Sequence, residues 1–72
     1  MHTTQSANEL TELAQRARAE FREMPGMALT AAQAARLWQL NLETAEVLLA
    51  DLAGSGFLIR QGGNRYRLPM EV

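Results

Sequence analysis

The chain has 72 residues, of which 47% are hydrophobic and 21% charged, with a formal net charge of −1. That length bounds it to one domain with a core near the lower limit for autonomous folding. The lack of cysteine excludes disulfides and thiolate metal sites and fits a reducing cytoplasm.

Residues 1–5 read as a disordered tail, residues 6–69 as one domain and residues 70–72 as a second tail. The opening MHTTQSANEL lacks the charged and apolar regions of a secretory signal. Ser6 followed by Glu9 has the spacing of a capping box and predicts the start of a first helix. Leu10, Leu13, Ala14, Ala17, Phe21 and Met24 then recur at intervals of three and four, which makes them its buried stripe. The other face carries Glu12, Arg16, Glu20 and Glu23, whose i,i+4 pairs contribute only about 0.2–0.5 kcal/mol each. Pro25-Gly26 ends the helix. Met27-Ala28-Leu29 follows as a short extended segment.

Thr30, with Gln33 three residues on, predicts the cap of a second helix over AAQAARLW. Its small side chains permit close approach of a neighbouring helix, and Leu37, Trp38 and Leu40 supply bulk at its end. The lone Trp38 reads as a core anchor rather than a base-stacking platform. Asn41 predicts the cap of a third helix beginning at Leu42. Ala45, Leu48, Leu49 and Leu52 form its buried stripe, and Gly54 or Gly56 stops it. Two short helices joined by so few residues match a helix-turn-helix.

The C-terminal stretch FLIRQGGNRYRLP predicts a β-hairpin. A two-residue turn at Gly62-Gly63 places Arg60 opposite Arg65, Ile59 opposite Tyr66 and Leu58 opposite Arg67. Alternation then puts Phe57, Ile59, Tyr66 and Leu68 on the core face, and Leu58, Arg60, Arg65 and Arg67 on the other. The expected fold is α+β and mostly α: three helices with a C-terminal hairpin. No run is long enough to span a membrane, so a soluble cytoplasmic protein with no membrane partner is expected.

Catalytic chemistry finds no foothold in these residues. His2, the single histidine, falls in the N-terminal tail. No nucleophile–base pair, metal-ligand spacing or phosphate loop is present, so no catalytic residue, metal or cofactor is expected. Gly54-Ser55-Gly56 leads from a helix into a strand, the reverse of the order a phosphate cradle needs.

Residues 29–60, LTAAQAARLWQLNLETAEVLLADLAGSGFLIR, followed by QGGNRYRL, resemble bacterial winged helix-turn-helix regulators. Leu29-Thr30, Ala34-Ala35, Leu40, Leu52 and Gly56-Phe57-Leu58 carry the likeness. More narrowly, EFREMPGMALTAAQAARLW resembles small stand-alone bacterial winged-helix proteins with a Glu-x-Pro-Gly turn before the helix-turn-helix. The resemblance implies a regulator of transcription that binds double-stranded DNA, with the third helix in the major groove and the hairpin as a wing. Contacts would come from Thr30, Arg36, Glu43, Thr44, Glu46 and Val47, with Ala50 a further candidate. Arg60, Asn64, Arg65 and Arg67 would supply the wing's share.

Charge runs against part of that expectation. The third helix holds Glu43, Glu46 and Asp51 and no basic residue, whereas duplex affinity depends on cations at the phosphates. Residues 1–55 carry four arginines and seven acids, net −3; residues 56–72 carry three arginines and Glu71, net +2. DNA binding would therefore rest on the wing, with Arg36 in support and a homodimer doubling the cations. Glutamate can still accept from cytosine, and Thr44 can meet a thymine methyl. The alternative is a protein-interaction module that presents the acidic third helix, with Val47, to a basic partner.

Overall fold

The computed structural model describes residues 7–69. Ser6, His2, Glu71 and the expected tails at 1–5 and 70–72 lie outside the described residues. Helix α1 spans Ala7–Glu23, strand β1 Ala28–Leu29, helix α2 Ala31–Trp38 and helix α3 Leu42–Gly54. Strands β2, Ile59–Gln61, and β3, Arg65–Arg67, complete an antiparallel sheet of order β1-β3-β2. This is the arrangement of a three-helix winged helix-turn-helix with a C-terminal hairpin.

The caps form where the side chains dictate. Thr30 Oγ1 accepts from the Gln33 amide at 3.1 Å, and the Gln33 side chain accepts from the Thr30 amide at 2.9 Å. Asn41 Oδ1 accepts from the Thr44 amide at 2.8 Å. Such caps satisfy amides that no helical carbonyl reaches, each contributing about 1 kcal/mol. Between the two helices Gln39 adopts a left-handed conformation, φ 57°, and the Leu40 amide donates back to the Ala35 carbonyl at 2.8 Å. That closes the turn of the helix-turn-helix within three residues.

The core lies where the three helices meet the sheet. Phe21 from α1 meets Trp38 from α2 edge to face, with ring centroids 6.3 Å apart, an arrangement favoured by the ring quadrupoles. Ala34 and Ala45 are fully buried; their lack of bulk lets α2 and α3 pack closely. Ala45, Leu48, Leu49 and Leu52 are buried as the helical spacing predicts. Trp38 is a core residue, although its indole Nε1 is buried with no hydrogen-bond partner among the described residues. Two expected contributors depart from the pattern. Met24 lies beyond the last turn of α1, and Leu37 stands in the last turn of α2; each is more than half exposed.

The hairpin differs from its predicted register by one residue. The pairs are Ile59 with Arg67, Arg60 with Tyr66 and Gln61 with Arg65. The loop therefore holds three residues, Gly62, Gly63 and Asn64, with φ of 82° at Gly63 and 61° at Asn64. Asparagine tolerates that left-handed conformation better than most side chains, which lets it join the loop. A one-residue slip moves every side chain of a strand to the other face. Leu58 is accordingly buried at 1% exposure and Ile59 exposed at 37%, the reverse of the expectation. Tyr66 is buried and Leu68 partly buried against the core, as anticipated.

The cause lies at the end of α3. The amides of Phe57 and Leu58 both donate to the Leu52 carbonyl, at 3.0 and 3.2 Å, after Gly56 turns the chain with φ 89°. This wrap aims Leu58 inward before the strand begins. The middle strand, β3, is also held on its other edge, where Leu29 pairs with Tyr66 and Ala28 with Arg67.

Candidate nucleic-acid interface

An open groove of about 530 Å³ runs between the start of α2, one flank of α3 and the hairpin. Ala31, Ala32, Leu42, Ala50 and Tyr66 make its apolar lining. Thr30, Glu46, Arg60 and Asn64 supply its polar groups. Each arrives from a different constraint. Thr30 is held by its capping bonds, and Glu46 lies one turn beyond the start of α3. Arg60 shares the sheet face of Tyr66 because the two are cross-strand partners. Asn64 stands at the loop, set by its left-handed backbone.

The structure thus brings four of the ten expected contact residues to one groove and sends the others elsewhere. Glu43, Thr44 and Val47 line a shallower depression of about 230 Å³ with Leu10 of α1. Thr44 also borders a third hollow behind the helix-turn-helix, beside Glu12, Arg16 and Asn41. Arg36 is exposed in the last turn of α2 and lines none of these three.

The wing arginines are divided rather than gathered. Arg60 lies on the groove side of the sheet, while Arg65 and Arg67 lie on the reverse side with Ile59 and Gln61. Arg60 and Arg65 are not direct cross-strand neighbours, so the like-charge repulsion expected between them is relieved by the register itself. Arg65 is exposed and Arg67 half-buried.

Leu42 and Tyr66 are groove residues that the sequence did not mark as such. Leu42 was legible as the first residue of a helix but not as half-exposed, and Tyr66 was legible only as core. Their place depends on how α2 and the hairpin converge on α3, which no local pattern encodes.

Among the described residues, no group of three or more His, Cys, Asp or Glu stands together as a metal site would require. No helix among them is long and apolar enough to cross a membrane. No protein-family model, curated protein or solved structure matches the chain.

Proposed function

We propose that this protein is a DNA-binding winged-helix regulator of transcription, of the cytoplasmic bacterial type its sequence resembles, with no catalytic role. Helix α3 enters the major groove and the hairpin rides the adjacent backbone. The observation that carries the reading is the groove between α3 and the hairpin, where Thr30, Glu46, Arg60 and Asn64 converge from three elements. A phosphate ridge seated there meets Arg60 as its cation and Thr30 and Asn64 as hydrogen-bonding groups. The split of the arginines suits this role. A wing tip lying in a minor groove has phosphate walls on both sides, and Arg60 and Arg65 present a cation to each.

Affinity on this reading is modest for one copy and strongly dependent on salt, because few cations replace counterions. Two copies on one duplex would double them. Titration with random-sequence duplex at low and moderate salt tests the proposal. The Arg60→Ala/Arg65→Ala double variant should bind most sequences more weakly, with the salt slope reduced by about one for each phosphate that is no longer neutralised. Full affinity and an unchanged slope in that variant remove the wing from the interface.

Exposed apolar residues on α3 favour a second reading. Val47 is 52% exposed and Leu42 50% exposed, on a helix whose other exposed groups include Glu43 and Glu46. An acidic surface with apolar residues between the acids suits a basic protein partner. Val47→Asp should abolish capture of such a partner while leaving the fold intact, since the side chain is not in the core. Undiminished capture rules out α3 as the contact.

A further inference from the structure

A second basic feature lies away from the groove. Arg18 and Arg22 of α1 are four residues apart, and both guanidinium groups stand over the ring of Phe57. The distances from guanidinium carbon to ring centroid are 5.7 and 5.4 Å. Cation–π attraction holds each in place. Holding both at one ring brings two like charges together at i,i+4 spacing, which is mildly unfavourable on a helix. The acids of α1 do not relieve it. Thr11, Gln15, Arg18 and Arg22 recur at four, three and four residues, making an acid-free stripe, whereas Glu20 falls on the opposite side of the helix and Glu12 and Glu23 on its flank.

The surroundings extend the positive surface. Phe57 lies just before β2, half-buried and packed against the core cluster, and two residues on Ile59 turns outward. On that side Ile59 is paired with Arg67, and Arg65 follows two residues away along β3. The reverse of the sheet carries Arg65 and Arg67, this stripe of α1 carries Arg18 and Arg22, and the acids Glu43 and Glu46 stand on α3.

We infer that Arg18, Arg22 and the Phe57 ring form an oxyanion site for a phosphoryl group, separate from the α3 groove and independent of the reading placed on it. Each guanidinium offers several N–H donors in a planar fork suited to phosphate oxygens. Stacking on a shared ring orients both before the ligand arrives, which reduces the ordering cost of binding. One bridging oxyanion would neutralise the repulsion between them. The phosphoryl group could belong to a nucleic-acid backbone or to free phosphate, because the chemistry of recognition is the same.

The test is an NMR titration of the intact protein, following the Phe57 ring protons and the arginine Nε–H resonances. One arm uses inorganic phosphate against chloride at matched ionic strength. The other uses a short random-sequence duplex with the Arg60→Ala variant, so that the groove contributes less. Saturable shifts at Phe57, Arg18 and Arg22 with phosphate are expected. Arg18→Gln/Arg22→Gln should weaken the response by about tenfold or more for each guanidinium removed. Response to both probes identifies a nucleic-acid backbone as the source, and response to phosphate alone identifies the free ion. If neither phosphate in the wild-type chain nor the duplex in the Arg60→Ala variant moves Phe57, the site does not exist, whatever the folding of the double variant. The single variant Arg22→Gln changes an exposed residue and gives a second check; undiminished phosphate shifts in it would overturn the assignment.

Discussion

Helix α3 and the hairpin form two walls of the same groove, and they differ in charge, in constraint and in what holds them. The exposed surface of α3 carries Glu43, Glu46 and Asp51 with Leu42 and Val47 between them. The hairpin carries Arg60, Arg65 and Arg67 and, among the described residues, no acid. Four buried side chains lock α3 into the core, whereas the hairpin is tied down by Leu58 and Tyr66 at its base and projects a Gly-rich tip. Attraction for a polyanion therefore resides in the hairpin wall, and the α3 wall resists it. A ligand that is anionic along one side and offers donor groups on the other suits such a groove; duplex DNA has both features, phosphate along its ridges and base-edge donors such as cytosine N4 in its major groove.

The two walls separate most severely at the base of the hairpin. Leu58→Ala should cost about 2–5 kcal/mol, as for other large-to-small changes in a packed core. That is a large share of the stability of so short a chain. Ile59→Ala should cost well under half as much, because Ile59 is part exposed. Denaturant midpoints of the two variants measure the difference, and equal destabilisation would contradict the observed register.

Reversing the charge of the α3 wall should have the next largest effect. Glu43→Lys/Glu46→Lys converts two repulsive groups into two attractive ones, and random duplex should bind on the order of 100-fold more tightly at moderate salt. Glu46 borders the groove and Glu43 does not. The single Glu46→Lys change should accordingly account for more of the gain than Glu43→Lys. Fluorescence anisotropy at two salt concentrations separates them.

The loop gives a smaller effect confined to one wall. Gly63 has φ 82°, and although a Cβ there meets nothing within 4 Å, the backbone strain remains. Gly63→Ala should cost about 1–2 kcal/mol without touching the core. Its amide spectrum should change in the hairpin while α3 stays unchanged. The smallest effect concerns the α3 cap: Asn41→Ala should cost about 1 kcal/mol, read from the thermal midpoint, with the hairpin resonances unmoved.

Much of the helical half was legible in advance. The capping residues Thr30 and Asn41, and the stripe Ala45, Leu48, Leu49 and Leu52, were each specified by interactions within a few residues. A helix repeats its face every three or four positions, so several residues vote for the same orientation and one misreading changes little. The hairpin offers no such redundancy. Its period is two, a slip of one inverts both faces, and Gly62-Gly63-Asn64 is compatible with loops of two or three residues. The two-residue turn expected from the glycine pair yielded to a three-residue loop because the Leu52 carbonyl captures the Phe57 and Leu58 amides upstream.

The candidate interface was legible to the extent that its residues were local. Thr30, Glu46, Arg60 and Asn64 were named as contacts, but their convergence on one groove, apart from Val47 and Arg65, was not readable from spacing. Nor was the meeting of Arg18 and Arg22 with Phe57.

By itself the sequence determined the three helices, the caps of α2 and α3, the existence of the hairpin and the acidity of α3, because these depend on side chains acting on their own backbone or on an additive count of charge. Tertiary structure alone decided which hairpin residues face inward, how the arginines are divided between two faces, and which residues share a groove. Those outcomes rest on how whole segments settle against one another: the wrap of residues 56–58 over the end of α3 aims Leu58 inward, and the pairing of β3 with β1, distant in sequence, holds the middle strand.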